Sequence, residues 1–326
     1  MPVTLLKLIF AIFICVFLAK TLDIQLASLI DGIKAWHYLA LAASIPLTLS
    51  SFFSISRWQV FLRLNSIDEA LPSLWKISLV SQFQGLVFPS SQGGDAFRML
   101  HIERRHPDKR GKAGSTVIIE RMMGLLVLCA LTLCALPFLP SSDDYNSLII
   151  TVLVISCIAI GAQILFSSRK THALYSHLNF QNSLLSRLLG YIEKLHASTV
   201  SFPYQRALKS SLPYIFCYQI SLISVVYLVF RAYGYDIPFA QHFALYPVIA
   251  ILTMVPLTIG GLGVREGFFV YFYGLLDVPA NVAVGASLAN YTLMVLIPAA
   301  CGGIIYLWDT IRDNRLKRTN HREPGQ

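Results

Sequence analysis

Four charged side chains, Glu120, Arg121, Arg265 and Glu266, stand in or close to apolar sequence. Each would cost on the order of 2.5–3.5 kcal/mol at the centre of a membrane helix, so each needs a partner or a cavity. Adjacent residues of a regular helix point in different directions. Glu120 is therefore not expected to neutralise Arg121, nor Glu266 to neutralise Arg265, and their partners must come from elsewhere. The chemistry this suggests is capture of an anion: Arg98, Arg121 and Arg265 would form a cationic site, with Asp95, Glu120 and Glu266 orienting it. Arginine suits that task because its planar fork grips phosphate oxygens in pairs. A second reading of the same residues is an internal salt-bridge network that locks the helices together without a ligand. Arg98 also fits a boundary position from which it would snorkel to water.

The residues around these charges repeat. Pro89-Ser-Ser-Gln-Gly93-Gly94-Asp95-Ala-Phe-Arg98 aligns without gaps to Pro256-Leu-Thr-Ile-Gly260-Gly261-Leu-Gly263-Val-Arg265, both following Pro-x3-Gly-Gly-x3-Arg. Freed backbone amides at such a break, together with a helix N-terminus, favour an anion. The glycines alone fit close helix packing equally well, and a Pro-Gly break also fits a loop.

The elements that must carry these motifs are membrane helices. Of 326 residues, 55% are hydrophobic and 13% charged, a balance rare in a water-soluble fold of this size. Apolar runs at Leu8 to Ala19, Tyr38 to Ile55, Thr116 to Phe138, Leu148 to Phe166, Leu212 to Phe230 and Val278 to Trp308 are mostly long enough to cross a core of ~30 Å. Backbone polar groups in lipid must be satisfied internally, so these runs predict helices. Lys7 precedes the first run, but no small-residue cleavage pattern follows at Leu18 to Thr21, and an uncleaved first span is expected. The formal charge of +9 lies beside apolar segments, not on one folded face, which argues against nucleic acid as a partner. The six cysteines all fall within apolar runs and read as small hydrophobes, and neither metal ligands nor a cofactor motif is apparent.

Basic residues divide the connections into two sets. Segments 57–76, 91–114, 167–212 and 309–326 together hold 20 Lys and Arg, whereas 20–35, 138–147, 231–243 and 274–282 hold 3. The first set and both termini are thus expected in the cytoplasm. This balance holds if the shorter apolar stretches Ile77 to Pro89 and Phe243 to Thr258 enter and leave on one side as re-entrant segments broken at Pro89 and Pro256. The expected architecture is an all-α polytopic transmembrane bundle of six full spans and two re-entrant hairpins. Residues 1–308 would form the membrane domain, with inverted-topology repeats at about 36–138 and 212–308, and 309–326 a basic cytoplasmic tail. A pseudo-two-fold axis in the membrane plane would relate the repeats, as in secondary transporters.

Three motifs carry a family resemblance: Phe88-Pro89 through Gly93-Gly94-Asp95-Ala96-Phe97-Arg98, then Glu120-Arg121-Met-Met-Gly124, then Pro256 through Gly260-Gly261-Leu262-Gly263-Val264-Arg265-Glu266-Gly267. On these the sequence resembles the lysylphosphatidylglycerol synthase transmembrane-region family, which includes the flippase portion of the bacterial multiple peptide resistance factor. The resemblance implies a flippase-like protein of the bacterial inner membrane acting on an anionic phospholipid or a polyprenyl-linked lipid. It does not imply aminoacyl transfer, which in the synthases belongs to a soluble domain following the membrane region. Enzymatic activity is not expected, since the sequence presents no Gly-x4-Gly-Lys-Ser/Thr loop, metal-ligand cluster or nucleophile with a base. Transport without a nucleotide-binding loop would be passive or ion-coupled. Beyond the lipid, the expected partners are a second copy of the chain or an envelope-biosynthesis protein. A non-catalytic role in a cell-envelope or glycosyltransferase complex is the competing function, and the least favoured reading is a membrane enzyme acting on a lipid-linked phosphate or sugar with Asp95, Glu120 or Glu266 as base.

Overall fold

The computed structural model describes residues 32–86, 93–135, 183–253 and 261–320, with scattered positions between 137 and 168 and Thr258; for 183–189 and 313–320 it describes the backbone alone. The expected first span at Leu8 to Ala19, most of Leu148 to Phe166, and the motif residues Pro89, Pro256 and Gly260 lie outside the described residues.

The described chain is helical. Helix α1 (Trp36–Leu64) is long, α2 (Leu71–Gly85) and α3 (Gly93–Arg105) are short, and α4 (Lys112–Ala135) is long. After α5 (Ser183–Val200) the order recurs: long α6 (Tyr204–Ala232), short α7 (Phe239–Thr253) and α8 (Val264–Gly274). Last comes α9, made of Ala280–Tyr291, a π turn at Thr292–Leu296 and Ile297–Asn320. Among the described residues, four segments are long and apolar enough to cross a bilayer: α1, α4, α6 and Ala280–Arg312 of α9. They coincide with four of the six expected spans. At 1.5 Å per residue, α2 and α7 reach only about 22 Å.

Proline explains the irregular turns of the long helices. Pro46 has no N–H, and its ring crowds the carbonyl one turn earlier; α1 responds with a π turn at Pro46–Ser50. Ser51 then donates its hydroxyl to the Pro46 carbonyl at 2.7 Å. The π turn of α9 similarly ends beside Pro298.

The packing has a reciprocal character. Helices α1 and α6 lie side by side, α2 packs along the C-terminal part of α9, and α7 packs along α4. At the α2/α9 seam Gly302 meets the Leu79 backbone, where a side chain would have no room. Among the described residues, four apolar clusters hold the helices, two of them central to the site. Val229, Phe230, Val248, Phe269 and Tyr273 form part of the larger one, among α6, α7 and α8. Trp58, Leu62, Leu74, Ile102 and Val117 join α1 to α4. Within the second cluster the Trp58 indole donates to the Thr116 hydroxyl at 3.0 Å, so the large ring is buried with its polar atom satisfied.

Candidate functional site: a cationic cavity between the two halves

Glu120 projects from α4 into the α1/α3/α4 packing and is 1% exposed. Its carboxylate accepts from Arg57 of α1 on one oxygen and from Arg98 of α3, at 2.7 Å, on the other. Arg98 also approaches Asp95 at 3.3 Å. Arg121 grips Asp95 in fork geometry, Nε to Oδ2 at 2.5 Å and Nη2 to Oδ1 at 2.9 Å. Aromatic faces support two of the guanidinium groups, Trp58 lying 4.2 Å from Arg98 and Tyr218 lying 5.0 Å from Arg57. Three guanidinium groups thus share two carboxylates, and among the described residues one positive charge has no local counter-charge.

The second motif forms the entry to α8. Gly261 and Gly263 adopt φ of 75° and 81°, backbone conformations that a side chain disfavours. The Gly263 N–H donates to Glu266 Oε2 at 2.6 Å, so Glu266 caps its own helix start. Its other oxygen accepts from Arg265 Nη2 at 2.5 Å and from the Ser287 hydroxyl at 3.0 Å. Ser287 in turn accepts from Arg265 Nε at 3.0 Å, and the Arg265 guanidinium lies 4.2 Å from the Tyr291 ring.

Three expectations need correction. Arg265 and Glu266 do pair directly, because Glu266 curls back to the helix start and the long Arg265 side chain folds over the same first turn to meet it. Arg57, counted among loop charges, is a helix residue only 3% exposed, since α1 runs through Leu64 and Glu120 supplies its counter-charge. Arg98, counted with the segment 91–114, likewise lies in a helix and is buried at 8% exposure, held by Glu120 and Trp58 and not snorkelling to water. Glu120 and Arg121 behave as expected, each finding its partner on another helix.

Both halves meet at one cavity of about 410 Å³. Gly94, Asp95, Arg98 and Arg121 line it from the first motif region, Arg265 from the second. Its size suits a small ligand or a lipid headgroup. Glu120, Glu266, Gly261 and Gly263 stand behind this lining, while buried Gly93 starts α3. Gly94 also serves packing: with Gly85 it lets the end of α2 cross the start of α3 at backbone contact. The three lining arginines differ in access. The Arg121 side chain is 43% exposed, against 9% for Arg98 and 10% for Arg265, so Arg121 is the one best able to meet a ligand. Ser50, Gln82, Tyr246 and Asn290 add neutral polar groups, and the buried Asn290 Oδ1 has no hydrogen-bond partner among the described residues. Also among the described residues, no three His, Cys, Asp or Glu side chains converge as a metal ion would require.

Sequence reasoning missed Arg57, Trp58, Tyr218, Ser287, Asn290 and Tyr291. Arg57 left a signal, standing two residues beyond the apolar run that ends at Ile55. The neutral residues left none, because Ser, Asn and Tyr are ordinary in membrane helices.

Long apolar helices enclosing a charged cavity define an integral membrane protein. The chain belongs to the lysylphosphatidylglycerol synthase TM region family, which matches residues 4–302. A UPF0104 membrane protein of Methanocaldococcus jannaschii is 22% identical, over 83% of this chain and 84% of its own length. One from Methanothermobacter thermautotrophicus is 21% identical, over 81% and 83%. A third, from Pyrococcus horikoshii, is 22% identical, over 77% and 81%. No solved structure matches the chain.

Proposed function

We propose that this protein binds an anionic lipid and moves it between bilayer leaflets, the headgroup passing through the cationic cavity while the hydrocarbon chains stay in the membrane. One observation carries the proposal: arginines from both halves, Arg98 and Arg121 on one side and Arg265 on the other, line a single cavity whose nearby charges, among the described residues, sum to an excess of one positive. A phosphate would supply the missing counter-charge, and Arg121, the most exposed of the three lining arginines, is best placed to meet it beside Asp95. The headgroup would be that of a phospholipid or a polyprenyl-linked lipid.

The repeated long-short-short-long order of helices and the reciprocal packing of α2 on α9 and α7 on α4 support an inverted-repeat design. In that design α2–α3 and α7–α8 are re-entrant pairs that rock against the long helices. The basic connections favour an inner-membrane orientation with both termini in the cytoplasm. The protein acts as a carrier and not as an enzyme.

The test is reconstitution of the purified chain in vesicles containing fluorescent phosphatidylglycerol, with dithionite quenching to follow exchange between leaflets. Native protein should accelerate exchange, and folded Arg121→Gln should slow it by about tenfold or more, the loss expected when a charged hydrogen bond worth about 1.5–3 kcal/mol is removed. Absence of exchange with anionic phospholipids and with a polyprenyl phosphate would overturn lipid transport.

A further inference from the structure

A second hollow lies beside the cavity, on the outer side of the α1/α2 seam. It is a groove of about 320 Å³ between Leu47, Thr48, Phe52 and Ile55 of α1 and Leu71 and Trp75 of α2. None of these side chains is charged. Its polar group is already occupied, since the Thr48 hydroxyl donates to the Ser44 carbonyl at 2.7 Å. Phe52 and Trp75 are large, apolar and exposed at 53% and 39%, which suits a hydrocarbon neighbour and not water.

The groove and the cavity share a wall. Ile55 lines both, and around the π turn of α1 the residues sort to the two sides: Pro46, Ser50, Ser51 and Ser54 to the cavity, Leu47, Thr48 and Phe52 to the groove. Helix α2 links them along one face. Leu71 and Trp75 line the groove, and Ser78, Leu79 and Gln82, spaced three or four residues further on, line the cavity. That stripe changes from apolar to polar as it approaches the arginines. An amphiphile with an anionic end and a hydrocarbon end has the same order of chemistry.

We infer that the α1/α2 groove holds one hydrocarbon chain of the lipid whose headgroup occupies the arginine-lined cavity, so that the lipid enters and leaves through this seam. The inference rests on the lipid-binding function proposed above and adds a second contact region, distinct in chemistry from the headgroup site. Ile55 separates the two regions and sets where the headgroup ends and the chain begins.

The experiment uses the full-length protein in phosphatidylcholine vesicles. They carry a trace of phosphatidylglycerol or phosphatidylcholine with a photoactivatable diazirine near the end of one acyl chain. After illumination, labelled peptides are mapped and the same preparations are assayed for dithionite-detected exchange. Labelling at Leu47, Phe52, Leu71 and Trp75 should be severalfold stronger with the phosphatidylglycerol probe, and that excess should disappear in Arg121→Gln, which leaves the groove intact. Thr48→Trp, which fills the groove away from the arginines, should lower both labelling and exchange. Equal labelling by the two probes, unchanged by Arg121→Gln, would show ordinary bulk lipid at this face and overturn the inference. Excess labelling without exchange would retain the groove and sink transport; exchange without excess labelling would retain transport and sink the groove.

Discussion

Arg57 and Arg98, on separate helices, hold opposite oxygens of the same Glu120 carboxylate, and each guanidinium is backed by an aromatic ring. This arrangement joins α1, α3 and α4 where each would otherwise bury an uncompensated charge. It fixes the floor beneath Arg121 and Asp95, which face the cavity.

Glu120→Ala should destabilise the protein by about 3–5 kcal/mol, the cost of leaving buried cations without their partner. Thermal unfolding in detergent would check this. Adding Arg57→Met to Glu120→Gln should recover part of the loss, because the double variant buries one fewer unpaired charge. An unchanged midpoint in Glu120→Ala would show that water reaches Arg57 and Arg98.

Gly302→Val should separate α2 from α9. A Cβ at Gly302 collides with the Leu79 backbone, which cannot yield, whereas one at Gly303 meets the Phe83 ring at 3.0 Å, which can rotate. Overpacking of this kind costs about 1–3 kcal/mol, so Gly302→Val should lower the unfolding midpoint clearly more than Gly303→Ala. Equal midpoints would remove the close contact.

Gly263→Ala should cost about 1–2 kcal/mol, the strain of holding a side chain at positive φ, and should shift the start of α8 and with it Arg265. Gly267→Ala is the contrast. It stands inside α8 with open space around its missing Cβ, so it should be neutral or stabilising by about 0.5–1 kcal/mol. Unfolding midpoints for the two variants should move in different directions or by clearly different amounts.

Acid should weaken the contact of the α1–α2 loop with the end of α3 through Glu69. Burial opposes its ionisation, but hydrogen bonds from Ser73 and His106 and the Arg105 charge outweigh that and hold the carboxyl below its ordinary value. A depressed carboxylate stabilises the fold fully above its unfolded value of about 4.3 and loses that contribution as pH falls through the lower folded value. Arg105 is partly exposed, so the contribution is at most about 1 kcal/mol. Below about pH 4.3, native protein should lose its stability advantage over Glu69→Gln. A difference constant from pH 7 to pH 3 would exclude the linkage.

Much of the architecture was legible because lipid imposes strict rules. The runs at Tyr38, Thr116, Leu212 and Val278 could only be helices, and four long helices stand there. The Gly-Gly-x3-Arg motif singled out Arg98 and Arg265, and both line the same cavity. Loop counting failed at Arg57 because it treats every basic residue as a marker of water. A charge with a carboxylate waiting on another helix is an exception that composition cannot reveal.

By itself, the sequence determined that the protein lives in a membrane, where its long helices run, and that Glu120, Arg121, Arg265 and Glu266 must be compensated. Those conclusions follow from the cost of exposing backbone and charge to hydrocarbon, a property of each segment alone. The tertiary structure decided which partner compensates which charge. Glu120 meets Arg57 across 63 positions of sequence, while Glu266 meets its own neighbour Arg265 because a glycine turn bends the helix start around it. It also decided that both motifs open on one cavity, since only the packing of α1, α2, α3, α4, α8 and α9 brings their faces together.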